Sequence, residues 1–318
     1  MLDDKKLVLN VKHLCISFSQ YERGLKKISL PVIKDLRLKI HEGELVAVVG
    51  SSGSGKSLLA AGIMGVLPYN ATMGGKIEFL GEELNESRIK NLRGKEIVLV
   101  PQSVEYLDPL MRVGEQITNG KKDKESTQKL DATLKEYGLK ESTKDLYPFE
   151  LSGGMARRIL ISTAVTQSPK LVIADEPTPG LDVKIARRVL SHFRSIADSG
   201  AGVLLITHDL ELALEVADRI VVFYAGTTIE DSPVSDFNSE DTLRHPYSKA
   251  LWRSMPQNGF SFIGGVQPYV KDMPIGCTFS PRCEHKTEKC CGEIPYVKIR
   301  DGYVRCINYS EEVKSNVT

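Results

Sequence analysis

The sequence predicts an α/β protein, and three uninterrupted apolar runs carry that prediction. "ELVAVVG", "KLVIADEP" and "GVLLITHD" are each strand-sized, and each leads into a loop or a helical pattern. Strands buried on both faces of a parallel sheet read this way. With 318 residues the chain can bury one large core with an appendage, or form two ordinary domains.

Taken in order, "LVLNVKHLCISF" alternates apolar and polar residues and reads as an early antiparallel strand. "ELVAVV" then runs into "GSSGSGKS", followed by the helical "SLLAAGIMGVL". Residues from about 103 to 165 are helical in pattern and interrupt the strand series. From about Asp231 onward Pro, Gly and Cys rise and periodicity fades, which places a boundary there. The expected division is therefore 1–230 and 231–318.

The stretch Gly50, Ser51, Ser52, Gly53, Ser54, Gly55, Lys56, Ser57 fits the pattern G-x-x-x-x-G-K-[ST], with Leu58 continuing it into the helix. Glycines let such a loop wrap its amides around phosphate oxygens, and the following helix points its positive end at the anion. Lys56 is expected at the β and γ phosphates and the Ser57 hydroxyl on Mg²⁺. A plain flexible turn is the alternative, and the strand–loop–helix context argues against it.

"KLVIADEPT" ends an apolar strand in Asp175 and Glu176. Asp175 sits where open α/β sheets bind ligands, and its carboxylate can hold Mg²⁺ directly or through water. Glu176, one residue on, is placed to orient and polarise an attacking water. His208 ends another strand and is expected to contact the γ-phosphate, and Gln102 ends a further one, within reach of metal or water. Taken alone, an acidic strand end or a single histidine is ordinary surface. After a phosphate loop they form a constellation.

"LSGGMARRILISTAV" places Ser152, Gly153 and Gly154 at the start of a helix, a second anion-binding device. A second phosphate cradle in one subunit is redundant unless it grips the nucleotide held by another. Two chains would then sandwich two ATP molecules head to tail.

The ordered set "GSSGSGKS", "PQS", "LSGGMARR", "LVIADEPT", "GLD" and "THD" resembles that of the ATP-binding-cassette (ABC) ATPases, over about residues 5 to 230. The resemblance implies a P-loop NTPase with a RecA-like core, an antiparallel β subdomain, and a helical subdomain carrying "LSGG". It also implies that Gln102 links the metal to a transporter contact surface and that Asp182 serves the dimer-contact loop. His208 becomes the switch histidine, and an aromatic stacks on adenine, either Phe18 or its competitor Tyr21. Met155 stands where many such proteins have Gln, and "TPGLD" departs from the commoner Ser-Ala or Thr-Ala before Leu181. No catalytic position is substituted, so hydrolysis is expected.

Five of the six cysteines fall between Cys277 and Cys306. "HPYSKALWRSMPQ", "GGVQPY" and "PIGCTFSPRC" resemble the C-terminal extension of ATPase subunits of oligopeptide, dipeptide and nickel importers, over about residues 231 to 310. The matching thiols are Cys277, Cys283, Cys290 and Cys306, with Cys291 as an extra neighbour. Four thiolates from a loop-rich segment can form a Cys₄ site whose metal helps fold it. The resemblance implies a [4Fe–4S] cluster. Zinc would also accept four sulfurs, although the spacing lacks paired C-x-x-C knuckles, and reduced free thiols are a third reading.

Lys and Arg nearly balance Asp and Glu, giving a net charge of +1, so no nucleic-acid partner is expected. The N-terminus lacks an apolar signal region and no apolar run approaches a bilayer span. The resemblance thus implies a peripheral subunit on the cytoplasmic face of the membrane, working with two membrane permease subunits and an extracytoplasmic substrate-binding protein. A second, different ATPase subunit would complete a heterodimer. Import of di- and oligopeptides is the reading, with a nickel or metal-chelate importer as the alternative. Its rivals are a soluble ABC ATPase acting on DNA or ribosomes and a non-catalytic ATP-binding regulator.

Overall fold

The computed structural model describes residues 5–21, 26–165 and 169–309. The last nine residues of the expected C-terminal extension, 310–318, lie outside them. In chain order the strands and helices are β1 (Leu7–Tyr21), β2 (Lys27–His41), β3 (Leu45–Val49), α1 (Lys56–Met64), β4 (Ala71–Phe79), β5 (Glu82–Glu83), α2 (Glu86–Leu92) and β6 (Ile97–Val100). The helical segment follows as α3 (Val113–Ile117), α4 (Lys124–Glu136) and α5 (Gly153–Val165). Then come β7 (Leu171–Asp175), α6 (Val183–Asp198), β8 (Gly202–Thr207), α7 (Leu210–Leu214), β9 (Arg219–Tyr224) and β10 (Thr227–Pro233). The tail adds α8 (Pro246–Arg253), β11 (Val297–Ile299) and β12 (Gly302–Val304).

The sheet runs β5-β4-β1-β2-β10-β9-β3-β8-β7-β6. From β9 to β6 all pairings are parallel, whereas β1 is antiparallel to both β2 and β4. The three apolar runs are β3, β7 and β8, and side-chain alternation explains why they are apolar throughout. In β3, Leu45, Ala47 and Val49 enter one core while Val46 and Val48 enter the other. Val203 and Leu205 of β8 likewise oppose Leu204 and Ile206. A strand covered on both faces has no solvent side to spend polar residues on.

The first core takes α5, α6 and α7, with α6 burying Ala186, Val189, Leu190, Phe193 and Ala197 along one helical stripe. The second lies under α1 and the antiparallel strands. Strand β10 crosses the expected boundary at 231. The tail returns to it, since β12 pairs antiparallel with β10 (Glu230 opposite Val304) and β11 closes a hairpin on β12. A buried ionic knot pins this junction. Arg219 donates to Asp231 Oδ2 at 2.6 Å and to Glu44 Oε1 at 2.7 Å, tying β9 to β10 and to the residue before β3. Among the described residues no helix is long and apolar enough to cross a membrane.

Candidate nucleotide site and the cysteine cluster

The phosphate loop leaves the C-terminal end of β3, which lies between β9 and β8, at the end of the strands where such sheets bind ligands. Gly50 must be glycine: a Cβ there would meet the Phe223 carbonyl oxygen of β9 at 2.0 Å. Lys56 is buried and donates to the carbonyls of Gly50 (2.8 Å) and Ser51 (3.1 Å). Burial lowers its pKa, while Glu176 and Asp175 hold its charge in place.

Strand β7 delivers the carboxylate pair. The Ser57 hydroxyl donates to Asp175 Oδ1 at 3.2 Å, which sets two hard oxygen donors side by side. Desolvation raises the Asp175 pKa, the Ser57 bond opposes this, and the Glu176 charge adds to it. Glu176 is buried, its backbone is left-handed (φ 48°), and its amide donates to Ile206 O of β8 at 2.9 Å. Its Oε2 lies 2.8 Å from His208 Nδ1. The Glu176 side chain is 10% exposed and that of His208 63%, so the pair spans the cleft wall from its floor to solvent. Gly53, Lys56, Ser57, Gln102, Glu176 and His208 line one common cleft.

Two further groups sit elsewhere. Ser152 caps α5, its Oγ accepting from Met155 N at 3.4 Å, and Leu181 packs over Gly154. Ser152 and Gly153 are exposed and line another surface than the phosphate cleft. Asp182 caps α6 by accepting from Ile185 N at 3.0 Å. The unusual "TPGLD" is a turn in which Leu181 N donates to Thr178 O (3.1 Å) and Gly180 has φ 76°. Pro at the second position and Gly at the third are what a type II turn requires. Phe18 is half-buried against the second core and Tyr21 is exposed. The cleft's wall nearest the antiparallel strands is Val32.

Three contacts escape sequence reasoning. Arg157 of α5 donates to the carbonyls of Pro101 (3.1 Å) and Gln102 (2.5 Å), fastening the Gln102 segment to the helix that follows "LSGG". Tyr247 of the tail lies in hydrogen-bonding range of Ser51, and so does Gln267. Side chains reaching across tens or hundreds of residues leave no spacing to read. The only hint is that "HPY" and "GGVQPY" stand in a stretch with little periodicity.

In the tail, Cys277, Cys283, Cys290 and Cys306 lie within electrostatic reach of one another, and Cys291 is exposed outside the group. Burial pushes the Cys277 thiol up to about 11 and raises Cys283 and Cys306 as well, with neighbouring thiols adding to each shift. Backbone amides point at these sulfurs: Phe279 N at Cys277, His285 N at Cys283, Thr287 N at Cys290 (3.5 Å), and Asn308 N at Cys306. Amides aimed at sulfur suit thiolates, so the donor chemistry fits a soft metal or cluster. The spacing is looser: among the described residues no three His, Cys, Asp or Glu are grouped closely enough to hold a metal ion.

A parallel α/β core with a phosphate loop after β3 and a carboxylate pair at the end of β7, with β8 between them, defines a P-loop nucleoside triphosphatase. The ABC transporter family model matches residues 33–179, and the model of the oligopeptide/dipeptide transporter C-terminal region matches residues 229–290. The chain is 35% identical over 309 residues to the oligopeptide transport ATP-binding protein AppD of Bacillus subtilis, covering 90% of this chain and 94% of that one. It is 35% identical to the dipeptide transport ATP-binding protein DppD of Escherichia coli (91% and 92% covered) and 33% to OppD of the same organism (96% and 94%). A dimeric ATP-binding cassette in a post-hydrolysis state bound to ADP and Pi superposes with TM-score 0.61 at 25% identity, over 71% of this chain and 98% of that one. This chain belongs to the ABC transporter ATPases, in their oligopeptide/dipeptide branch, and is an ATPase of that family.

Proposed function

We propose that the chain hydrolyses ATP to drive import of di- and oligopeptides through a membrane permease. One observation carries this reading: the phosphate loop, Glu176, His208 and Gln102 share a single cleft, in a chain matching peptide-transport subunits along nearly their whole length. The names of these relatives favour peptides over the nickel alternative.

In this reading Gly53 to Leu58 bind the phosphates through backbone amides, and Lys56 supplies positive charge at the β and γ groups. Ser57 and Asp175, with Gln102, would hold Mg²⁺, which neutralises phosphate charge when bound. Glu176 accepts the proton of the water that attacks the γ-phosphorus, as the bond to the β–γ bridging oxygen breaks. His208 steadies the Glu176 carboxylate from its solvent side. Ser152 to Gly154 and Asp182, close to each other through Leu181, serve the nucleotide of a second ATPase subunit, which we take to be a different chain. Division into a cassette (1–230) and an extension (231–318) follows from this assignment. The partners are two permease subunits and an external binding protein, which places the chain at the cytoplasmic face of the membrane. Adenine stacks on Phe18, with Tyr21 as the competitor.

Cys277, Cys283, Cys290 and Cys306 would hold a [4Fe–4S] cluster, a reading supported by the amide–sulfur contacts. Anaerobically purified protein should then be brown, with four irons and four acid-labile sulfides per chain, whereas stoichiometric zinc in colourless protein refutes it. For the main reading, peptide uptake in a deletion strain should be restored by the wild-type chain and not by Lys56→Ala. Uptake restored equally by both would refute it.

A further inference from the structure

The tail reaches back to the phosphate loop. Ser51 Oγ donates to Gln267 Oε1 at 2.5 Å, and Gln267 Nε2 faces Gly53 O at 3.5 Å. Gln267 thus holds both ends of the Ser51–Gly53 segment, whose amides begin the anion cradle. The residue is itself anchored. Arg282 Nε donates to Gly264 O at 2.7 Å and its Nη2 to Ile263 O at 3.1 Å, fixing the strand of chain just before Gln267. The same guanidinium donates from Nη1 to Tyr224 OH at 3.2 Å. Tyr224 meets Phe279 edge-on, with ring centroids 5.4 Å apart, and follows Phe223, whose carbonyl presses on Gly50. Phe279 and Arg282 lie between Cys277 and Cys283 in sequence.

We propose that Gln267 is a positioning residue of the nucleotide site, setting the Ser51–Gly53 backbone, and that Arg282 makes its placement depend on the folded Cys277–Cys283 segment. This rests on the reading of Gly50 to Ser57 as the phosphate loop. The tail is then part of the ATP site. Gln267 bonds to Ser51 and Gly53 and is absent from the lining of the cleft that holds Glu176 and His208, so it affects how tightly nucleotide binds and leaves the chemical step alone.

The test measures the affinity of the full chain, purified anaerobically, for a fluorescent ATP analogue. Gln267→Ala should weaken binding about 5-fold, the worth of one neutral hydrogen bond. Gln267→Met, which keeps the volume and loses both bonds, should do the same. Ser51→Ala removes the bond it shares with Gln267, so it should weaken binding too, and the Ser51→Ala/Gln267→Ala double variant should lose less than the sum of the two single losses. Arg282→Ala should reproduce the loss with Gln267 intact. In the assembled transporter the Gln267 variants should raise KM for ATP and keep kcat. Wild-type affinity in Gln267→Met, additive losses, or a fall in kcat alone would each overturn the proposal. Lys56→Ala separates the two levels. If it binds nucleotide normally, the site reading itself is wrong; if it loses binding while the Gln267 variants do not, only this inference fails.

Discussion

Glu176 and His208 form a pair that runs from the floor of the cleft to solvent. The carboxylate is buried, is bonded to the imidazole at 2.8 Å, and rides on a left-handed backbone anchored to β8. Strain of that kind persists only where the surroundings fix it, which suits a group whose placement matters. Glu176→Gln keeps the shape and a hydrogen-bonding partner for His208 while removing the base. ATP turnover should fall about 10²- to 10⁴-fold with ATP binding retained, as measured by phosphate release and equilibrium binding. Unchanged turnover would take the role away from Glu176. At this scale the sequence is a good guide near the C-terminal end of a strand: Asp175 ends β7, His208 directly follows β8, and Gln102 stands two residues past β6. It is silent where a residue acts from a distance. Nothing near Arg157 announces that it will grip a carbonyl 55 residues away, and nothing near Gln267 points to Ser51.

Among the elements, β3, β7 and β8 are legible because burial on both faces leaves an unbroken apolar run. The hairpin of β11 and β12 is not, since each strand has three residues, β12 exists through its pairing with β10 and β11 through its pairing with β12. The helical segment is readable as helical, but not its attachment. Arg157 anchors α5 to the Gln102 segment with two bonds from one nitrogen, and burial lowers its pKa against the pull of Asp175 and Glu176. Arg157→Ala would strand both carbonyls and should cost about 2–3 kcal/mol, read as a lower urea midpoint, with faster amide exchange around Gln102. Both bonds leave one nitrogen and a Lys ammonium carries three donors, so Arg157→Lys should recover part of the loss. The turn before α6 gives a sharper case. A Cβ on Gly180 would meet nothing within 4 Å, yet its φ is 76°. Gly180→Ala should therefore cost about 1 kcal/mol through backbone strain alone, seen in thermal unfolding. A neutral result would mean the turn relaxes, and with it the aim of Asp182.

Across the whole molecule, cassette and tail share buried polar contacts, and these make stability depend on pH. Glu230 of β10 is buried and accepts from the amides of Arg244 (3.0 Å) and His245 (2.8 Å), while Arg305 of the tail pairs with Asp35 of β2 at 2.5 Å. Burial would raise Asp35, but Arg37 and Arg305 together hold its carboxyl below the ordinary range. His245 caps α8, its Nδ1 accepting from Tyr247 N at 3.0 Å, and desolvation alone pushes its pKa down to about 3. The native imidazole therefore stays neutral where the unfolded one, titrating near 6.5, takes a proton. Below pH 6.5 the unfolded state binds more protons, so the stability His245 contributes is present at neutral pH and is lost as pH falls toward 3. Glu230 works in the opposite sense, since burial raises its pKa and lets the folded state take up a proton first. The comparison that isolates His245 is therefore with His245→Asn, which keeps a side-chain acceptor for the cap and cannot charge. Between pH 7 and pH 5 the wild type should lose about 2 kcal/mol more than the variant in equilibrium denaturation. Parallel pH profiles would mean that His245 is protonated in the folded chain, and that the buried junction between cassette and tail is open to water.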